Sequence, residues 1–135
     1  MTDPGKVRVV LAQSQEEREE IFGLRYEIYV EEMGKSPPEA DHRHRMIRDS
    51  LDPVARVYGL RNPEGKLVGT LRLNLLGDLD DPDSQLGLMA KALLPVLDHV
   101  SWQSISYTSR LMLQAECRGG TALGLLFNRC YGDAI

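Results

Sequence analysis

The chain has 135 residues, of which 42% are hydrophobic and 27% charged, and its formal net charge is −4. This composition indicates one globular domain with a single core and excludes a disordered chain. The negative charge argues against a general nucleic-acid binder, and no run approaches the roughly 18 consecutive apolar residues of a membrane span.

The N-terminal residues and the cysteines narrow the class of protein further. The N-terminal residues contain no apolar signal region, so we expect a cytoplasmic protein. The two cysteines, Cys117 and Cys130, are too few for a disulfide framework and lack the spacing of a metal site. We therefore predict two free thiols at or near the core and no metal.

A strand and a helix come first. The apolar residues 7–12 predict a short buried strand. Ser14 and Glu17 have the spacing of a capping box, in which each side chain accepts a hydrogen bond from the backbone N–H of the other residue. Residues 15–33 then predict a helix that Gly34 ends. Its apolar face consists of Ile21, Leu24 and Ile28.

The middle of the chain predicts a loop and a hairpin. Residues 35–51 contain two adjacent prolines and are interpreted as a loop or a broken helix. Residues 54–60 and 66–76 are two strand-like runs. The segment between them, residues 61–65, contains the sequence Asn-Pro-Glu-Gly, which favours a tight turn. We predict a β-hairpin here.

Four further segments complete the chain. Residues 77–84 predict an acidic loop, and residues 86–100 a mostly apolar helix that Pro95 interrupts. Residues 101–113 predict a strand, and residues 120–133 the last helix. The order β-α-β-β-α-β-α predicts an α/β fold in which helices flank a mixed β-sheet.

A glycine-rich turn joins the last strand to the last helix. Its residues are Arg118, Gly119, Gly120, Thr121 and Ala122. The first N–H groups of a helix lack intrahelical partners, the helix dipole adds partial positive charge there, and glycines allow a phosphate to approach closely. We therefore predict an anion site at this turn, at the carboxyl end of the last strand.

Arginines interrupt the apolar pattern of two predicted strands. Arg72 lies among leucines, and regular alternation would place Arg110 on the same face as Thr108 and Met112. A buried arginine needs an anionic partner, which is either a protein carboxylate or a substrate or acyl donor. The remaining alternative is exposure to solvent. The candidate protein carboxylates are Glu32, Asp41 and Asp49.

Other polar residues are candidates for the same site. Arg25 on the first helix belongs either to the arginine network or to a solvated face. Asp41 and Asp49 are candidates to orient or deprotonate an amine, and solvated loop carboxylates are the alternative. Ser109 lacks a His/Asp set and Cys117 lacks a nearby base, so covalent catalysis is not expected.

The run of residues 42–48 is basic within an acidic chain. It contains three arginines and two histidines. Such a run either contacts the acidic face of a carrier protein or forms a solvated loop.

The strand, Arg-Gly-Gly turn and helix resemble the acyl-donor-binding element of the GNAT acyltransferase superfamily. Further segments narrow the resemblance: residues 24–33 (LRYEIYVEEM), an acidic residue at Asp41 or Asp49, residues 68–73 (VGTLRL), and Ser109-Arg110. In this order they are similar to autoinducer (acyl-homoserine lactone) synthases and to N-acyl amino acid synthases. The resemblance covers nearly the whole chain.

The resemblance implies transfer of an acyl group from a thioester to the amine of an amino acid or derivative. The donor would be an acyl carrier protein or acyl-CoA. It implies catalytic positions at Arg25, Asp41, Asp49, Arg72, Ser109 and Arg110. Donor contacts would fall on Leu111, Met112, Leu113, Arg118, Gly119, Gly120, Thr121 and Ala122. The backbone N–H groups of residues 111–113 would hold the developing oxyanion if the strand has a bulge there, and otherwise make ordinary ladder hydrogen bonds.

Three features depart from the family pattern. Thr121 and Leu123 stand where the superfamily usually has glycine and then glycine or alanine, which favours a carrier protein with one phosphate over coenzyme A. Tyr107 stands where autoinducer synthases usually have an acidic residue. The strands that follow the last helix in the superfamily are missing, so we expect an incomplete domain whose sheet another domain or chain completes.

Two other functions remain open at this point. One is a small-molecule acetyltransferase that uses acetyl-CoA. The other is a non-catalytic module that binds an acyl group or pairs with another domain.

Overall fold

A computed structural model describes residues 7–78, 87–88, 91–92 and 105–134. The strands are β1 Arg8–Leu11, β2 Ala40–Asp41, β3 Met46–Ile47, β4 Arg56–Arg61, β5 Leu67–Leu75 and β6 Ser106–Leu113, and the helices are α1 Gln15–Tyr26 and α2 Ala122–Ala134. Residues 87–88 and 91–92 are helical. Most of the predicted acidic loop, the rest of the predicted helix at 86–100 and the start of the predicted strand at 101–113 lie outside the described residues.

One four-stranded sheet organises the fold, in the order β1-β4-β5-β6, and every described pairing in it is antiparallel. α1 packs on one face of the sheet and α2 on the other. The α1 side of the core contains Ile21, Leu24, Ile28, Val57, Leu67 and Met112. The α2 side contains Tyr58, Leu60, Val68, Leu71, Leu73, Leu126 and Cys130. The predicted α/β class is confirmed.

The capping box at the start of α1 is confirmed. The backbone N–H of Glu17 donates to Oγ of Ser14 at 3.1 Å, and the backbone N–H of Ser14 donates to Oε1 of Glu17 at 3.2 Å. The α-helix ends at Tyr26 and continues as a π-helical turn over Glu27–Glu32, whereas the sequence predicts one helix to residue 33. Gly34, with a φ of 69°, follows the end of this turn because glycine tolerates the left-handed region.

The segment predicted as a loop or broken helix forms a second, short antiparallel pair between β2 and β3. Its turn is held by Asp41, whose Oδ1 accepts hydrogen bonds from the backbone N–H groups of Arg43 (3.1 Å) and His44 (3.0 Å). Ile47 at its end is fully buried. The small hairpin is therefore anchored to the core at one end and exposed at its turn.

The predicted hairpin between β4 and β5 is confirmed. Oδ1 of Asn62 accepts hydrogen bonds from the backbone N–H groups of Glu64 (3.1 Å) and Lys66 (2.9 Å). Gly65 has a φ of 87°, which favours glycine at this position. The turn residues of the sequence thus specify the local backbone.

Both cysteines are free thiols, with Cys130 buried in the α2 side of the core and Cys117 partly buried. None of the described helices is both long and apolar enough to cross a membrane.

The hydroxyl of Tyr58 fastens α2 to the sheet, because it donates to Oδ2 of Asp133 at 2.7 Å while the ring is fully buried. We expect Tyr58→Phe to lower the free energy of unfolding by about 1 kcal/mol, since one hydrogen bond is lost and Arg129 still pairs with Asp133. Tyr131→Phe is the matched control, because Tyr131 is 54% exposed. Urea denaturation of the two variants measures the difference, and equal stability of both contradicts the anchoring role.

Candidate functional site

An ion-pair cluster lies on the α1 side of the sheet. Its members are Arg25, Glu39, Asp49, Asp52, Arg72 and Arg110. The three positive charges equal the three negative charges, so the cluster is neutral as a unit. Because α1, two strands and the segments beside β2 and β4 all contribute to it, the fold assembles this cluster from distant parts of the chain.

Arg25 and Asp52 form the buried end of the cluster. Nη1 and Nη2 of Arg25 donate to Oδ2 and Oδ1 of Asp52, both at 3.0 Å, and Arg25 is fully buried. Nη1 also donates to the carbonyl of Ile47 at 3.2 Å. A bidentate arginine–carboxylate pair fixes both position and orientation. The pair therefore joins α1 to the segment that leads into β4.

Asp49 joins the two strand arginines. Nη1 of Arg72 lies 2.6 Å from Oδ1 of Asp49, and Nη2 of Arg110 lies 2.7 Å from its Oδ2. Arg72 also lies 3.2 Å from Oδ1 of Asp52, and Arg110 donates to Oε1 of Glu39 at 2.8 Å. The structure thus brings both arginines to one carboxylate. Their partners in it are protein carboxylates, the first of the alternatives that the sequence leaves open.

A β-bulge in β6 aims two consecutive side chains at the cluster. Thr70 pairs with Met112 and Arg72 pairs with Ser109, so two residues of β6 oppose one residue of β5. Arg110 lies in the bulge with a φ of 55°. Oγ of Ser109 accepts a hydrogen bond from Nε of Arg72 at 3.1 Å, next to the contacts that Arg110 makes.

Because of the bulge, the side chains of β6 do not all lie on the faces of the sheet that regular alternation predicts. Thr108 pairs with Leu73, whose side chain lies on the α2 side of the sheet. Arg110 therefore shares its face with Ser109 and Met112 but not with Thr108. The physical reason is the extra residue, which shifts the alternation by one position.

Asp49 is ionised at neutral pH. Burial alone raises the pKa of its carboxyl group, but hydrogen bonds from Arg110, from Arg72 and from the Leu51 N–H outweigh that effect and lower the pKa from 3.8 to about 2. A carboxylate with so low a pKa is a weak base. The environment of Asp49 therefore suits orientation of a cationic or polar group better than removal of a proton.

The segment from Asp49 to Asp52 is rigidly held. The backbone N–H of Asp49 donates to Oδ2 of Asp52 at 2.8 Å, and the N–H of Leu51 donates to Oδ1 of Asp49 at 2.9 Å. Nδ2 of the fully buried Asn74 donates to the Leu51 carbonyl at 3.1 Å. Arg18 donates to the carbonyl of Asp52 at 2.6 Å. These bonds position both carboxylates before any ligand arrives.

A cleft of about 780 Å³ opens beside this segment. Its described lining consists of Gln15, Arg18, Glu19, Phe22, Arg48, Asp49, Asp52 and Pro53. One wall is α1 and the other is the chain from residue 48 to residue 53. The cluster is therefore reached from solvent at Asp49, whose side chain is 25% exposed, while Asp52 stays buried.

The glycine turn presents unpaired backbone donors. Gly119 has a φ of 82°, and the N–H groups of residues 119–122 make no hydrogen bond with any residue that the structure describes. The side chain of Arg118 is engaged elsewhere, because Nε donates to the carbonyl of Leu113 at 2.9 Å and Nη1 lies 2.6 Å from Oε1 of Glu32. Of the predicted donor-binding residues, Gly119, Gly120, Thr121 and Ala122 therefore offer backbone groups to an anion, while Arg118 braces the turn.

The three other predicted donor-binding residues lie along the end of β6. Leu111 is 40% exposed, Met112 is buried on the α1 side, and Leu113 packs on the α2 side. β6 is the edge of the sheet within the described residues. Their backbone therefore lies at that edge, at the start of the segment that leads to the glycine turn.

Asp41 does not join the cluster. Both of its oxygens are engaged within its own turn, where Oδ2 lies 2.8 Å from Nδ1 of His44 and Oδ1 accepts the backbone bonds from Arg43 and His44. The neighbouring His42 bonds to the hydroxyl of Tyr26 at 2.8 Å. The structure therefore separates Asp41 from the other predicted catalytic carboxylate, because the tight β2–β3 turn recruits Asp41 as its cap.

Sequence reasoning missed two members of the cluster, Glu39 and Asp52. Asp52 carried a local signal, since an aspartate three residues after Asp49 has the spacing to cap the same turn. Glu39 follows two prolines and gives no such signal. Its contact with Arg110 joins residues 71 positions apart and depends on the tertiary structure. Within the described residues, no group of three His, Cys, Asp or Glu side chains could hold a metal ion.

Comparison with known families decides the class. The sequence matches the acetyltransferase (GNAT) domain over residues 24–128. The chain belongs to this family. Comparison with curated proteins gives no match. The matched range includes the ion-pair cluster, the bulge in β6 and the glycine turn, so the GNAT membership and the acyltransferase class expected from the sequence are confirmed.

Removing one partner of the buried pair tests the structural importance of the cluster. We expect Asp52→Asn to lower the free energy of unfolding by about 3–5 kcal/mol, because Arg25 is left as an uncompensated buried charge. Asp41→Asn is the matched control, since Asp41 bonds only within its exposed turn. Chemical denaturation at neutral pH measures both, and a small effect of Asp52→Asn contradicts the buried pairing.

The lowered pKa of Asp49 also predicts that the folded protein loses stability in acid. Its pKa is lower in the folded state, about 2, than the ordinary value of 3.8, so its contribution is fully present above about pH 4 and is lost as the pH falls to 2. This lowering of the pKa corresponds to a contribution to the free energy of unfolding on the order of 2 kcal/mol. We expect the stability difference between the native chain and Asp49→Asn to shrink over that interval. Urea denaturation at pH 6, 4, 3 and 2 measures it, and a constant difference argues against the lowered pKa.

Proposed function

We propose that this GNAT domain is an N-acyltransferase that moves an acyl group from a thioester donor to the amine of an amino acid or derivative. The donor is an acyl carrier protein or acyl-CoA. The observation that carries the proposal is the convergence of Arg25, Asp49, Arg72, Ser109 and Arg110 beside a bulged strand at the edge of the described sheet. These are five of the six positions for which the resemblance to N-acyl amino acid synthases and autoinducer synthases implies a catalytic role; the sixth, Asp41, lies apart from them.

Amide formation makes three demands on such a site. The amine nitrogen must reach the thioester carbonyl, the oxyanion that forms needs a donor, and a proton must leave the nitrogen as the carbon–sulfur bond breaks and the thiol departs. The bulge supports the second demand. Two residues, Arg110 and Leu111, oppose the single residue Leu71, so the local ladder is disrupted. We propose that a backbone N–H at this bulge donates to the oxyanion.

The ion-pair cluster supports the first demand, which is that the amine nitrogen reaches the thioester carbonyl. Asp49 lines a cleft of about 780 Å³, which has room for a small acceptor, and its low pKa keeps it charged while an amine is oriented beside it. Arg72 and Arg110 hold this carboxylate from both sides. We propose orientation as the role of Asp49.

The glycine turn serves the donor. Backbone N–H groups of residues 119–122 without described partners, at the start of α2, form a suitable cradle for the phosphate of a phosphopantetheine arm. The basic run of residues 42–48 supports a carrier protein as a partner. Arg43 and Arg48 in it are exposed, and Arg45 pairs with Glu31. That another domain or chain completes the sheet stays a prediction.

A second candidate is acetylation of a small molecule from acetyl-CoA. The observation in its favour is the matched family itself, which is described as an acetyltransferase domain. The two candidates differ in the acyl group and in the carrier, and they share the site residues.

A donor series with an amine panel separates the candidates. We expect acyl carrier protein or long-chain acyl-CoA, more than acetyl-CoA, to raise the melting temperature and to acylate amino acids, because a ligand that binds the native state stabilises it. Asp49→Asn should lower turnover by about 100-fold, since misplaced reactants lose much of the proximity advantage. Asp41→Asn, its matched control, should retain activity. Turnover with acetyl-CoA alone supports the second candidate, and no transfer from any thioester contradicts both.

A further inference from the structure

One arginine in the described lining of the cleft has no partner among the described residues. Arg48 lines the cleft next to Asp49, its side chain is exposed, and it makes no ion pair or hydrogen bond with any described residue. The other arginine of the lining, Arg18, donates to the carbonyls of Asp52 and Ala55, both at 2.6 Å. Arg48 is therefore the guanidinium in this lining that is available to a ligand.

The described lining of the cleft carries charges of both signs, which favours a ligand that also has both. Arg18 and Arg48 are positive, and Glu19, Asp49 and Asp52 are negative. Arg18 and Asp52 bond within the protein. The guanidinium of Arg48, which has no partner among the described residues, is where a carboxylate can be bound by two parallel hydrogen bonds.

Arg48 and Asp49 also have a spacing that fits one small molecule. Consecutive Cα atoms lie about 3.8 Å apart, so the two side chains leave the backbone at neighbouring points of the same wall. An α-amino acid carries its amine and its carboxylate on one carbon atom. With the amine beside Asp49, the carboxylate lies within reach of Arg48.

We propose that Arg48 binds the α-carboxylate of the acceptor, so that the acyl group is transferred to a free α-amino acid. This inference rests on the proposed N-acyltransferase function and adds the substrate class to it. Arg48 acts as a specificity-determining residue, because it recognises the acceptor and takes no part in the bond changes. Phe22 and Pro53 supply the apolar part of the described lining.

Matched acceptors test the role of Arg48. The standard amino acids and their α-amides carry the same amine, but the amides lack the carboxylate. With acyl-CoA as donor, we expect Arg48→Ala to raise KM for the amino acids roughly 10- to 100-fold, the value of a charge-assisted hydrogen-bonded pair, with kcat little changed. KM for the amides should change less than about 2-fold, because they make no ion pair to lose. Arg48→Lys should restore part of the loss.

Arg8→Ala is the control, because Arg8 is an exposed arginine that neither lines the cleft nor belongs to the basic run. It should behave as the native chain with both acceptors. Equal effects of Arg48→Ala on amino acids and amides, or no effect on either, overturn the inference.

Binding without turnover separates failure of this inference from failure of the proposed function. Calorimetric titration of the native chain and of Arg48→Ala with the same amino acids and amides needs no acyl donor. If the native chain binds amino acids, the variant does not and no thioester is consumed, Arg48 is a carboxylate site and the transferase proposal fails. If the native chain transfers acyl groups to amines and ignores the carboxylate, the transferase proposal stands and this inference fails. If amino acids neither bind to the native chain nor are acylated by it, the inference is overturned.

Discussion

The buried ion pair between Arg25 and Asp52 is the interaction on which the rest of the site depends. Burial lowers the pKa of Arg25, and the bidentate contact with Asp52 opposes that effect, so the guanidinium stays charged within the core. Each buried ion costs several kcal/mol of desolvation, which only good geometry offsets. The pair is therefore satisfied only when α1 and the start of β4 dock in one relative position, and that position presents Asp49 to the strands.

The position of Asp49 in turn determines a partner of Arg110, the bulge residue of β6 at the edge of the described sheet. The left-handed backbone at Arg110 costs about 1–2 kcal/mol for a residue with a side chain. Ion pairs from Arg110 to Glu39 and Asp49 offset the cost. The same bulge that brings Arg110 inward disrupts the strand ladder beside it, so the place of Arg110 in the cluster and the break in the ladder are two results of one local distortion.

The elements that sequence analysis predicted correctly are those with a local cause. The capping box of Ser14 and Glu17, the turn at Asn62 and Gly65, and the alternating strands of the hairpin each follow from residues within a few positions of one another. The β2–β3 hairpin was not predicted: Asp41 caps its turn locally, but the pairing of its two-residue strands depends on burial of Ile47 against the rest of the fold. The π-helical turn after Tyr26 likewise interrupts a pattern that predicts one continuous helix.

For the site, the sequence alone indicated which residue types needed partners. Arginines within apolar strands must be paired when they are buried, and the first N–H groups of a helix that follows a glycine turn can bind an anion. The family resemblance associated these residues with acyl transfer. The GNAT match confirms the acyltransferase class, and the roles of the individual residues stay predictions.

Which carboxylate meets which arginine was decided only in three dimensions. Asp41 and Asp49 look alike in the sequence, yet one is recruited by its own turn and the other by Arg72 and Arg110. The reason is physical: a turn is set by neighbouring residues, whereas pairing across 23 and 61 residues depends on the sheet register and the bulge.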